Sequence, residues 1–292
     1  MIGLNAPMVP PGFFAIALFG REAGADAPER RELGTEIIDN QAVPADCGHP
    51  KAARPIKHLS RAVQGDPLSM TILLINPNTS ASVTARLATE ARRVAEPGVT
   101  IRAITAPFGV PEIQTPDELR VAADAVLATM AANSDCDAAI IGAFGDPGLD
   151  EARAAMPMPV FGLGESGILA ASANGRRFAV VTVGEAMRGD IMRKVESLGL
   201  ADRLVALQFL VASVADVVRD RAALIPSVVD AVRDCASRHH AEAVLLGGGP
   251  FVGLAHEVSE KTSLPVLDGL HAAIALATKV AMRTQPAASS PR

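Results

Sequence analysis

Four short stretches stand out, two for small polar side chains, Asn76 to Thr79 and Thr182 to Glu185, and two for closely spaced glycines, Gly142 to Gly148 and Gly247 to Gly253. Glycine lets a backbone N–H approach an oxygen closely, so such loops suit a small anionic or carbonyl-bearing ligand. Neither glycine-rich stretch is followed by Gly-Lys-Ser/Thr, and Gly247-Gly248-Gly249-Pro250 lacks the GxGxxG spacing, so nucleotide and dinucleotide cofactors are not indicated. Asn76 and Thr182 each close an apolar run, a position from which a short polar side chain can hydrogen-bond a carboxylate or carbonyl. Asn76 and Asn78 also suit an Asx turn. The amides of Ala143, Phe144 and Gly145 and those of Gly248 and Gly249 would form two oxyanion-type sites.

The chain has no Tyr and no Trp, so proton transfer falls to Asp, Glu, His, Lys, Cys or water. Three candidates stand near the loops. Asp146 is a base beside the first glycine stretch, or the cap of a helix starting near Pro147. Glu165 faces a cleft or complements the N-terminus of its helix. His271 follows Asp268-Gly269 at the start of the last helix and is suited to a near-neutral pKa, or lies on the surface. His256 lies farther along its helix and the His239-His240 pair reads as a helix end, so neither carries catalytic weight, and Lys194, Lys261 and Lys279 read as solvated faces. Cys136 lies ahead of its strand and Cys235 on an apolar helix face, so both read as buried structural thiols. The three cysteines form no CxxC pair, which fits a reducing cytoplasm rather than a disulfide scaffold or a zinc site.

The elements that position these residues alternate. Apolar runs at Thr71 to Ile75, Thr100 to Ile104, Ala138 to Ile141, Val160 to Gly162, Phe178 to Val183, Arg203 to Leu207, Ala243 to Leu246 and Val266 to Leu267 read as buried parallel strands. Amphipathic segments at Ser80 to Ala95 and Ser227 to Arg238 read as helices between them. The run Thr71 to Asn78 matches Arg177 to Gly184, Ile141 to Leu149 matches Leu246 to Leu254, and Pro159 to Leu163 answers Pro265 to Leu270, at an offset of about 105 residues. The expected fold is therefore α/β: two pseudo-symmetric lobes, 70–175 and 176–282, each a mostly parallel sheet flanked by helices, with a cleft between them. The last helix is free to pack on the first lobe. Residues 1–69 are broken by prolines without apolar periodicity and read as a poorly ordered extension, with Met70 an alternative start; 283–292 reads as a tail.

At 292 residues, 49% hydrophobic and 20% charged, the chain has material for one large or two medium cores. A net charge of −5 without a basic run argues against nucleic acid. The longest apolar stretch, Gly12 to Gly20, is too short to cross a membrane. A small-molecule substrate is the expected partner.

Taken together, Ile75 to Thr79, Phe144 to Leu149, Gly162 to Glu165, Val180 to Thr182 and Val266 to Gly269 resemble the aspartate/glutamate/hydantoin racemase family, most closely its hydantoin racemase branch. The resemblance spans about Met70 to Val280. It implies two pseudo-symmetric lobes, no metal, no cofactor, a homo-oligomer, and a pair of cysteines, one per lobe, that exchange an α-proton on opposite faces of the substrate. Where the family carries those cysteines this chain has Ala143 and Gly248. The resemblance thus implies racemase-like proton transfer on a small carboxylate or hydantoin-like substrate without the thiol pair. The alternatives are a one-sided lyase, decarboxylase or hydrolase, and a non-catalytic binder of a small anion.

Overall fold

The computed structural model describes residues 70–211 and 220–284. The extension expected over 1–69, including Cys47, lies outside them. Eight strands form two four-stranded parallel sheets of the same topology. In the first, β1 (Met70–Asn76) pairs with β2 (Val99–Thr105) on one side and β3 (Ala138–Ile141) on the other, and β4 (Val160–Gly162) closes the order β2-β1-β3-β4. In the second, β5 (Phe178–Thr182), β6 (Leu204–Phe209), β7 (Ala243–Leu246) and β8 (Val266–Asp268) repeat that order as β6-β5-β7-β8. The chain order reverses between β1 and β3 and between β5 and β7, which leaves a crevice beyond the carboxyl ends of each pair. The registers correspond: Ile75 lies beside Ile141, and Val181 beside Leu246.

The expected strands are all present. The sixth begins and ends later than the reading of Arg203 to Leu207, because its last residues, Gln208 and Phe209, follow β5 to Thr182 rather than any apolar alternation of their own.

Helices α1 (Ala81–Val94), α2 (Pro116–Ala131), α3 (Leu149–Ala155) and α4 (Leu163–Ala171) serve the first repeat. Helices α5 (Arg188–Ser197), α6 (Arg221–His239), α7 (Leu254–Ser259) and α8 (Gly269–Thr284) serve the second. Helix α2 starts on a full capping box, with Thr115 accepting from the Glu118 amide, Glu118 accepting from the Thr115 amide, and Pro116 in the first turn. Helix α6 begins at Arg221, ahead of the expected Ser227. Asp220 caps it through the Ala223 amide, and Pro226 lies inside it, past the first turn, where it removes one backbone donor. The tail expected from residue 283 starts inside α8.

Strand parity divides the core into three parts. Ile72 and Leu74 of β1, Ile140 of β3, Phe178 and Val180 of β5, and Leu245 of β7 share one central core with residues of α1, α4, α5 and α8. The opposite faces, Leu73, Ile75, Ala139 and Ile141 in one sheet and Ala179, Val181, Val244 and Leu246 in the other, pack beneath α2 and α3 and beneath α6 and α7. Burial on both faces is what makes these strands read as unbroken apolar runs. Helices α4 and α8 pack against each other, α4 also reaching β7 and β8, and α8 reaching β3 and β4. Their approach requires glycine: a Cβ at Gly269 would collide with the Leu163 carbonyl oxygen, and one at Gly167 would stand 2.8 Å from Leu245 Cδ1.

Candidate active site

The carboxyl ends of β1, β3, β5 and β7 converge on one pocket of about 100 Å³. That is below the roughly 300–1,000 Å³ of common ligand sites and suits a small molecule. Its wall includes Asn78, Ala143, Phe144, Gly145, Thr182, Gly248 and Gly249, together with Val83, Ile113 and Leu119 from the first half and, from the second, Met187 just before α5 and Asp190, Ile191 and Lys194 of α5. The two glycine stretches touch across it. A Cβ at Gly249 would stand 3.3 Å from the Gly142 carbonyl oxygen, and one at Gly247 would stand 3.1 Å from the Phe144 ring.

The polar groups of the pocket include a set of backbone donors. The Gly142 and Gly247 amides are spent on the Ile75 and Val181 carbonyls at 2.7 and 2.9 Å, which extends each sheet by one bond. The next amides, of Ala143, Phe144 and Gly145 and of Gly248 and Gly249, have no acceptor among the described residues. Thr182, 4% exposed, donates its hydroxyl to the Gly247 carbonyl at 2.7 Å and keeps lone pairs to accept from a ligand. Gly248 sits at φ 121, ψ 147, a region effectively closed to other residues.

Asn76 is not part of this wall. It is 1% exposed, and its Nδ2 reaches Asn78 Oδ1 at 2.8 Å, the Ser80 carbonyl at 3.0 Å and Thr84 Oγ1 at 3.0 Å. Its Oδ1 takes the Asn78 amide at 3.3 Å. Asn76 therefore builds the turn that presents Asn78, whose own Nδ2 has no acceptor among the described residues. The expectation of an Asx turn describes this geometry, and the side chain left over for a ligand is that of Asn78.

The three expected proton carriers are not brought together. Asp146, with a fully buried side chain and φ 49, caps α4 rather than the helix after Pro147: Oδ1 accepts from the Gly164 amide and Oδ2 from the Glu165 amide, both at 2.7 Å. Room for it exists only because residues 162 and 164 are glycines, since a Cβ at either would press on the carboxylate. Asp146 Oδ2 also takes the ammonium of Lys194, whose Nζ donates to the Gly145 carbonyl at 3.0 Å. Burial pushes the Asp146 carboxyl above its ordinary pKa, against the pull of that ammonium and the two amides. Glu165 is held two-pronged by Arg153 at 3.0 and 2.8 Å, outside the pocket wall. His271 lies in a separate groove, with Nε2 2.6 Å from Glu90 Oε1 and its amide on Asp268 Oδ1 at 3.1 Å. The Arg93 guanidinium, with help from His271, lowers the Glu90 pKa to about 2.

Lys194 is the residue the sequence reading missed. It is not on a solvated face: its side chain is 17% exposed and lines the pocket. The available signal was the i, i+3, i+4, i+7 spacing of Met187, at the N-cap of α5, with Asp190, Ile191 and Lys194 on one face of that helix, two apolar and two charged members. Cys136 and Cys235 are both buried as expected and away from the pocket, and burial raises both thiols, that of Cys235 to about 11. Neither supplies a thiolate near neutral pH.

Two parallel sheets of matching topology, meeting at paired loops with free amides, define a two-lobed α/β protein with a small-molecule site at its strand ends. The chain belongs to the Asp/Glu/hydantoin racemase family, whose model matches residues 72–277. It is 29% identical over 213 residues to a hydantoin racemase of Pseudomonas sp. (strain NS671), covering 72% of this chain and 86% of that protein. A hydantoin racemase of Paenarthrobacter aurescens is 29% identical over 217 residues, covering 71% and 89%. Among solved structures, an allantoin racemase from Klebsiella pneumoniae superposes with a TM-score of 0.71 at 28% identity, over 74% of this chain and 89% of that one. Among the described residues no helix is long and apolar enough to cross a membrane.

Proposed function

We propose that the protein is a cofactor-independent enzyme that holds a small carboxylate or hydantoin-like substrate between the two glycine stretches and moves a proton at a carbon next to its carbonyl. The observation that carries this reading is the pair of amide sets, Ala143 to Gly145 and Gly248 to Gly249, left without acceptors on facing sides of one small pocket. Such donors stabilise the oxygen of a developing enolate without the need to reorganise. Family membership supports racemase-like chemistry. The titratable side chains of the wall, Asp190 and Lys194, both lie on α5, while Ala143 and Gly248 offer no ionisable atom. Proton transfer is thus served by side chains from one side, which favours one-sided reactions such as isomerisation or decarboxylation over a symmetric two-base racemisation.

The test is proton NMR in D₂O with 5-substituted hydantoins, aspartate, glutamate and substituted malonates. Exchange of the α-proton with retained optical rotation supports one-sided transfer, and exchange with its loss supports racemisation. New product resonances identify a lyase or hydrolase. Absence of any change across the set rejects the enzymatic reading in favour of a small-anion binder.

A further inference from the structure

The Lys194–Asp146 pair joins the two halves of the pocket through an arrangement that the fold alone does not require. Asp146 is already satisfied by the two α4 amides, so its place is fixed independently of the lysine. The lysine comes from α5 in the other half and ends at the pocket wall, two of its three N–H donors committed to Gly145 and Asp146. The third has no acceptor among the described residues. A largely buried ion pair is a poor source of stability, because desolvation offsets most of the attraction, so an ammonium held against a pocket is better explained by what it binds. Among the described residues, the one carboxylate that lines the wall, Asp190, one turn earlier on α5, pairs with Arg193 through Oδ1 and remains the wall's candidate proton carrier, which leaves the lysine for binding. The carboxylate of Asp146 lies fully buried behind the ammonium, and the ammonium is the group presented to the pocket.

We propose that Lys194 is the anion anchor of this pocket: its ammonium takes a carboxylate oxygen of the substrate beside the free amides of Ala143 to Gly145, and Asp146 is the positioning residue that holds it there. This rests on the pocket assigned under the proposed function and adds that its ligands are carboxylates in preference to isosteric neutral amides. The remaining wall, Val83, Ile113, Leu119, Phe144, Val183 and Ile191, is apolar and takes the rest of the molecule.

The experiment compares phenylacetate with phenylacetamide, which differ in charge and hardly in shape, by NMR titration of the full-length chain. The wild type is expected to bind the carboxylate at least tenfold more tightly than the amide. Lys194→Gln should weaken phenylacetate about tenfold while phenylacetamide changes less than twofold, and Lys194→Arg should restore part of the preference. Asp146→Asn should reduce the preference without abolishing amide binding, which a merely structural role would not do selectively. Equal affinity for the two probes, no binding of either, or a preference that survives Lys194→Gln would each overturn the proposal. The D₂O exchange assay separates the two readings. A lysine-dependent preference without exchange leaves the anchor standing and removes the enzyme, whereas exchange undiminished in Lys194→Gln does the reverse.

Discussion

Asp146→Asn isolates what a buried carboxylate does for this fold. Asparagine keeps the shape and tolerates the left-handed backbone at φ 49, so neither a cavity nor new backbone strain enters. What changes is that one acceptor oxygen becomes an NH₂ donor. Both oxygens accept backbone amides at 2.7 Å, so either orientation sets a donor against a donor at the start of α4. A hydrogen bond to a charged group contributes about 1.5–3 kcal/mol, and a buried amide left without an acceptor costs about 1–3 kcal/mol. Lys194, partly exposed, regains some hydration when its partner is neutralised, so the pair itself adds little. The expected loss is about 2–4 kcal/mol, or about 5–15 °C in Tm for a domain of this size. Urea denaturation followed by far-ultraviolet circular dichroism measures it, with an unchanged m-value to show that the unfolded state is not altered. The combined Asp146→Asn/Lys194→Gln variant should lose less than the sum of the single variants. A loss below about 1 kcal/mol, against the minimum that a single unsatisfied buried amide implies, would refute this account of the α4 cap.

Three further outcomes are expected. The folded Glu90 carboxyl, with its pKa lowered to about 2, contributes stability that is fully present above its ordinary value of 4.5 and is lost as pH falls towards 2; urea melts between pH 6 and pH 3 should therefore show a steeper acid decline in the wild type than in Glu90→Gln, and parallel curves would contradict it. Gly248→Cys forces a side chain onto φ 121, ψ 147 and should cost about 1–3 kcal/mol, while Ala143→Cys, at an ordinary half-buried position on the pocket wall, should change stability by less than about 1 kcal/mol; equal effects in chemical denaturation would show that the 248 backbone imposes no such demand. Gly269→Ala drives a methyl into the Leu163 carbonyl and should prevent close packing of α4 on α8, seen as a loss of more than about 3 kcal/mol or failure to fold; a near-neutral result in thermal melts would mean that the helix pair has slack.

The strands and the internal repeat were readable because each strand is buried on both faces. Double burial leaves an unbroken apolar run as its trace, and the same packing problem solved twice leaves the same pattern twice. The four loops followed from the rule that ligands sit beyond parallel strand ends, and both glycine stretches, Asn78 and Thr182 indeed line one pocket. The side chains were less legible. Asp146 is near the first glycine stretch in sequence, but its oxygens are used by amides eighteen and nineteen residues away, a contact created by the return of β4 beside β3. The charge of Glu165 is taken by Arg153, and His271 is drawn to Glu90, far earlier in the chain. Partners this distant leave no local periodicity. Lys194 went unread for the same reason: on α5 alone it is one charge among several, and only the opposing half gives it a carbonyl and a carboxylate to face.

The repeat is symmetric in its strands and loops but not in the helices that close the pocket. After β5, α5 sends Asp190, Ile191 and Lys194 to the wall and Met187 precedes it; after β1, the corresponding helix α1 sends only Val83, and Asn78 precedes it. The carboxylate that anchors the lysine sits in the first repeat and the lysine in the second, so the asymmetric pair links the two repeats. On the proposed function, a substrate held by the two amide sets would meet the ionisable side chains of α5 from the second half and the apolar Val83, Ile113 and Leu119 from the first. A two-base reaction needs a proton carrier on each face, whereas carbonyl polarisation by backbone amides needs none. On that same reading the free amides of both halves would share the stabilisation of an enolate, while the charged side chains of the wall come from α5 alone, which is the physical basis for expecting proton delivery with a preferred face.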